Sequence, residues 1–106
     1  MATSYKRLGA ADLAATTNTT IYTAPSLTQA VVTVSVCNRN ATAQTIRLAL
    51  ASSDTPGNSE WFEYDYSLEA NGVLERTGIA MDAGKKIVAY AGGTGISVVA
   101  YGMEIV

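Results

Sequence analysis

Apolar and polar residues alternate in short runs along this chain, and Gly, Asn, Asp and Pro separate the runs. That two-residue period marks half-buried strands. Thr19 to Thr23 reads as a strand that closes at Ala24-Pro25, because proline cannot donate to a ladder. Ala30 to Asn38 carries the strongest pattern, with Val32, Val34 and Val36 on one face and Val31, Thr33, Ser35 and Cys37 on the other. In Gln44 to Ala51, Ile46, Leu48 and Leu50 point inward, while Thr45, Arg47 and Ala49 point outward. The turn residues at 38–42 make these two runs a candidate hairpin. Glu60 to Leu68 alternates again, with Phe62, Tyr64, Tyr66 and Leu68 on one face and Trp61, Glu63, Asp65 and Ser67 on the other. Asn71-Gly72 suits a tight hairpin into Val73 to Met81. Lys85 to Ala91 and Ile96 to Val106 complete the set, joined by Gly92-Gly93-Thr94-Gly95.

No window shows the 3.6-residue period of an amphipathic helix. Roughly seven to eight short antiparallel strands with regularly spaced turns predict an all-β fold, a single β-sandwich or jelly-roll-like domain. The whole chain, residues 1–106, reads as that one domain. Its first 18 residues are less patterned and read as an arm or an edge strand, with 1–12 as a candidate extended N-terminal arm.

Composition shifts the picture toward assembly. Apolar residues make up 48% of the chain and charged residues 15%, against about 25% charged in average soluble domains. A surface rich in Thr, Ser, Asn and Ala repels its neighbours weakly. The net charge is −2, and the basic residues are scattered, with no stripe to track phosphates, so no nucleic-acid partner is expected. No signal peptide and no apolar run long enough to span a bilayer can be read, so synthesis and use without Sec export, and no membrane partner, are expected.

Candidate chemistry is sparse. The chain has no histidine and one cysteine, Cys37, which removes Ser-His and Cys-His nucleophiles and an ordinary zinc site. No cofactor is expected. Cys37 lies in an apolar run and reads as a small buried hydrophobe. Glu60, Glu63, Asp65 and Glu69 form an acidic group, in which Glu63 and Asp65 share a face by spacing. Paired carboxylates can serve a glycosidase or hold calcium, but a solvated face beside Trp61 accounts for them more simply. The Gly-rich segment at 92–95 lacks the Lys-Ser/Thr ending of a phosphate loop and reads as a turn.

The order of certain segments carries a resemblance. These are Leu13 to Pro25, Val-Ser-Val-Cys-Asn-Arg-Asn at 34–40, Ile46 to Leu50, Glu63-Tyr-Asp65, Ala70 to Val73, Arg76 to Ile79, Asp82 to Gly84 and a closing Val98 to Ile105. Together they resemble a family of small virion structural proteins of tailed bacteriophages, frequent in phages of cyanobacteria and other aquatic bacteria. No single motif is specific; the ordered set covers nearly the whole chain. The resemblance implies a β-sandwich without catalytic residues, made in the host cytoplasm and placed on the virion. Its implied role is capsid decoration (cement), with the major capsid protein or other virion proteins as partners and a homotrimer as the favoured assembly. Strand addition through the Thr-rich edges would join it to its neighbours.

The residues expected to make contact are Ala2, Thr3, Ser4, Tyr5, Lys6, Arg7 and Leu8 as a docking arm, and Trp61, Glu63 and Asp65 as an exposed contact face. A tail, baseplate, neck or fibre component is the nearest alternative. A carbohydrate-binding module using Trp61, Tyr64 and Tyr66 is a further one, and an enzyme built on the acidic group is the weakest.

Overall fold

A computed structural model describes residues 2–106. Met1, which the predicted domain and arm both include, lies outside the described residues. The described residues form eight strands: β1 (Thr3–Asp12), β2 (Thr19–Thr23), β3 (Gln29–Asn38), β4 (Gln44–Ala51), β5 (Trp61–Leu68), β6 (Val73–Met81), β7 (Lys86–Ala91) and β8 (Ile96–Ile105). They pair antiparallel in two four-stranded sheets, ordered β1-β8-β3-β6 and β2-β7-β4-β5. This is the order of a jelly roll, in which a long double ribbon folds over into two facing sheets.

The core lies between the sheets and is supplied mainly by their central strands. Val32, Val34 and Val36 of β3 and Ile96, Val98 and Ala100 of β8 meet Ile46 and Leu48 of β4 and Ile87 and Ala89 of β7, all buried. The alternation read in β3 and β4 therefore faces inward as expected.

The expected hairpins do not form. β3 and β4 belong to different sheets, as do β5 and β6, and β7 and β8; only the β4–β5 connection stays within one sheet. The turn residues still reverse the chain, but each reversal steps across the gap between the sheets. Their polar groups then pair between corners. Buried Asn38 donates its amide to the carbonyls of Thr42, Leu68 and Glu69, at 2.9, 3.1 and 3.0 Å. The Asn71 N–H reaches the Asn40 carbonyl, and the Arg39 N–H reaches that of Gly95. Three turns thus clasp one another at one end of the sandwich.

The two long sides of the sandwich differ. At one, β1 packs on β2, where a Cβ on Gly9 would stand 2.0 Å from the Ile21 carbonyl oxygen. Only glycine permits that approach. At the other side β5 and β6 stand further apart, and a cleft of about 430 Å³ opens between them, lined in part by Leu50, Phe62, Arg76 and Ile79.

Candidate interaction surfaces

Residues 3–12, expected as an arm or an edge strand, are an edge strand. β1 pairs with β8 from Thr3–Ile105 to Asp12–Ser97, and Ala2 exchanges two backbone hydrogen bonds with Val106. Ala2 to Leu8 is therefore no free docking arm. The predicted contact residues separate by strand alternation. Thr3, Tyr5 and Arg7 face outward, whereas Lys6 turns in toward buried Glu104 of β8 and Leu8 packs on the core. Glu104 accepts from the Tyr22 hydroxyl at 2.6 Å and pairs with the Lys6 ammonium at 3.0 Å. These two side-chain partners hold its carboxyl below the usual range, while burial and the adjacent carboxylate push the Tyr22 phenol far up. Ser4 stands opposite Glu104 in the ladder.

The outer face of the first sheet is broad, and its charged residues, Arg7, Asp12 and Glu75, all lie on the edge strands. Its cross-strand rows run Tyr5, Met103, Val31, Ala80; then Arg7, Tyr101, Thr33; then Ala10, Val99, Ser35, Glu75; then Asp12, Ser97, Cys37, Val73. Tyr5, Val31, Val73 and Tyr101 are exposed. Arg7 and Glu75 stand near opposite edges, and the Tyr101 hydroxyl donates to Glu75 at 3.0 Å. Asp12 at the rim is paired with Arg39. Cys37 lies half-buried on this face rather than in the core.

Strand addition finds little purchase on this molecule. Every edge strand carries a bulge: β1 between Arg7 and Gly9, β2 between Thr20 and Tyr22, β5 twice, and β6 at Thr77-Gly78 opposite Val32 to Val34. Bulges twist an edge away from a straight partner and are a common defence against edge-to-edge pairing.

The outer face of the second sheet has another character, and the bulges of β5 make it. Strict alternation places Trp61, Glu63 and Asp65 together and opposite Tyr64. In the structure Phe62 is one extra residue between the Leu48–Glu63 and Ala49–Trp61 pairs, and a second extra residue falls between Glu63 and Tyr66. Asp65 there adopts a left-handed φ of 52°. The phase of the strand slips twice, and three expectations change with it.

First, Glu63 and Asp65 do not share a site. Glu63 turns to the cleft between the sheets and accepts from the Arg76 Nε at 2.6 Å, whereas Asp65 takes the Arg47 Nε at 2.6 Å. Second, Phe62, Tyr64 and Tyr66 are exposed, and of the predicted inward set only Leu68 is buried. Third, Trp61 and Tyr64 come to one face, edge to face, with ring centroids 5.6 Å apart at 72°. Trp61 is half-buried there over Ala49, Ala51 and Val88, a small apolar cluster separate from the main core.

Arg47 and Tyr90 complete this group. The Arg47 guanidinium lies 4.2 Å from the Tyr64 ring and 4.4 Å from the Tyr90 ring, while its charge is met by Asp65. The hydrogen bond to Asp65 raises the Arg47 pKa further above an already high value. A concavity of about 350 Å³ beside the rings is lined by Asn58, Trp61 and Tyr64. Sequence reasoning named Trp61 and Tyr64 but missed Arg47 and Tyr90, because a lone Arg in an alternating strand carries no signal of what it stacks on.

The acidic group is dispersed in the same way. Glu60 accepts from the backbone N–H groups of Gly57 and Ser52, at 2.8 and 3.0 Å, which clamps the 52–60 loop and holds its carboxyl below the usual range. Among the described residues no three His, Cys, Asp or Glu side chains gather as a metal site. The chain matches no protein-family model and no curated protein.

Proposed function

We propose that this chain is a structural protein of a tailed-bacteriophage virion, a capsid decoration protein that binds where coat subunits meet. The observation that carries this reading is the outer face of the first sheet, four strands wide, with no outward charged side chain on its two central strands, β3 and β8. Four strands at ~4.8 Å spacing and ten residues at ~3.3 Å rise offer roughly 600 Å² to a partner. Burial on both sides then reaches about 1,200 Å², the lower end of stable protein interfaces. The jelly-roll order supports the same reading by analogy, since viral capsid domains use it, although lectins do too. The ordered sequence segments resembling phage virion proteins add to it.

Docking by this face needs no reaction. A protein that binds only the assembled shell stabilises it by mass action, and a symmetric oligomer, with a trimer favoured, gains avidity from several contacts at once. The bulged edges favour attachment by the face over strand addition.

Quantitative mass spectrometry of purified virions tests the role. A copy number that scales with the coat lattice is expected; a copy number matching tail symmetry moves the protein to the tail, and absence from the particle rejects the reading. Val31→Asp, which places a charge on the central strands of the face, where none points outward, is expected to abolish binding to decoration-free capsids while leaving the fold intact.

A further inference from the structure

The aromatic group on the second sheet lies on the opposite side of the sandwich from the proposed docking face, and that role leaves it unused. We propose that Trp61, Tyr64 and Asn58 form a binding site for a neutral hexose unit of a glycan.

The geometry suits a sugar ring. A pyranose presents a face of C–H groups and a rim of hydroxyls, so its sites combine an aromatic surface with planar polar side chains. Trp61 and Tyr64 meet at 72° and form a corner of floor and wall beside the concavity of about 350 Å³. That volume is at the small end of ligand sites, the scale of one or two sugar rings. Asn58 on its lining offers both a donor and an acceptor to vicinal hydroxyls.

The site is also held in place before any ligand arrives. Arg47 is stacked between Tyr64 and Tyr90 and tied to Asp65, so the Tyr64 ring is backed by a fixed guanidinium although the residue is 58% exposed. Trp61 rests on Ala49, Ala51 and Val88. Rigid aromatic rings lose little entropy on binding. The two slips in β5 bring Trp61 and Tyr64 to one face, and bulges often re-aim side chains in this manner at binding sites.

Charge selects the class of sugar. Among the described residues the cation at the rings, Arg47, is neutralised by Asp65, and Lys86 further along the face lies 3.6 Å from Asp54. No uncompensated cation is left among these groups to favour a sialic or uronic acid.

Trp61 is the only tryptophan, so its emission reports this site alone. The full chain is titrated with glucose, galactose and mannose oligosaccharides at millimolar concentrations. A saturable change in emission is expected with at least one of them, and N-acetylneuraminic acid is expected to bind no better. Trp61→Ala risks the cluster beneath it, so the test variant is Tyr64→Ala. Its affinity for the bound sugar should fall about tenfold, as befits one lost aromatic contact. Tyr101→Ala, on the other sheet, should leave that affinity unchanged. No saturable response to any neutral sugar, or equal affinity in Tyr64→Ala, overturns the proposal. If purified capsids alter the emission where sugars do not, the group is instead a second protein-docking face, which also overturns it.

Discussion

The two outer faces of this sandwich present different surfaces, and the difference begins in composition, since six of the chain's eight aromatic residues lie in the strands of the second sheet. The face of the first sheet is mainly Thr, Ser, Ala, Val and Tyr in cross-strand rows, with its charged residues, Arg7, Asp12 and Glu75, on the edge strands. The face of the second sheet gathers Trp61, Tyr64 and Tyr90 around one buttressed arginine. Register sharpens the contrast. β3 and β8 pair without interruption over ten residues, so the first face stays flat in its middle. β5 slips twice against β4, so the second face acquires a corner and a concavity. A flat surface with an uncharged centre suits broad contact, and a fixed aromatic corner suits a small ligand.

The comparison holds only while both sheets remain one rigid body, and the largest expected effect comes from breaking that. Asn38 joins the β3–β4 turn to the end of β5 through three donated hydrogen bonds, and it accepts from the Asn40 N–H. Asn38→Ala takes the side-chain donor from the buried Leu68 carbonyl and the part-buried carbonyls of Thr42 and Glu69, and should cost about 3 kcal/mol. On a domain of this size that is a fall of roughly 12–20 °C in melting temperature. Thermal unfolding followed by circular dichroism checks it. A loss under about 1 kcal/mol means that water replaces the side chain and that the corners do not clasp.

A smaller effect separates the sheets by pH. Glu104 ties β8 to β2 through Tyr22 and to β1 through Lys6, and both partners favour its charged form. Its folded pKa is depressed, so its contribution is present above the unfolded carboxyl value of about 4.3 and is lost as pH falls through the lower folded value. At pH 7 Glu104→Gln should destabilise by about 2 kcal/mol, the scale of hydrogen bonds to a charged group. The gap between wild type and variant should close as pH drops below 4, measured by urea unfolding at several pH values. A gap that persists unchanged into acid shows packing, not charge, at this position.

These ties also mark what the sequence could and could not reveal. The runs at Gln44 to Ala51 and Val73 to Met81 coincide with β4 and β6, because alternation between Gly, Asn and Pro punctuation records where a strand starts and stops. Partner choice is not recorded there. Asn71-Gly72 specifies a reversal of the chain, but only the packing of two sheets decides that the reversal crosses between them. β1 was hard to read because its apolar side chains are few, and its partner β8 supplies the register. The aromatic site was half legible. Trp61 and Tyr64 were visible as residues, but their common face depends on bulges at Phe62 and near Asp65 that no glycine announces.

The smallest expected effect tests whether the second face owes its shape to backbone or to charge. Asp65 occupies left-handed φ, where Asn is tolerated as well as Asp. Asp65→Asn therefore keeps the bulge and removes only the charge that meets Arg47. The pair is partly solvated, so the stability change should stay within about 0.5 kcal/mol. If the corner is set by the backbone, Trp61 and Tyr64 keep their edge-to-face contact, and near-ultraviolet circular dichroism of the variant overlays the wild type. If the ion pair sets it, Arg47 leaves the Tyr64 ring and the aromatic signal falls although the melting temperature does not. The first outcome is expected, because β5 is bound to β4 on both sides of the slip, through Ile46–Tyr66 and Leu48–Glu63, and those backbone pairs do not depend on Asp65.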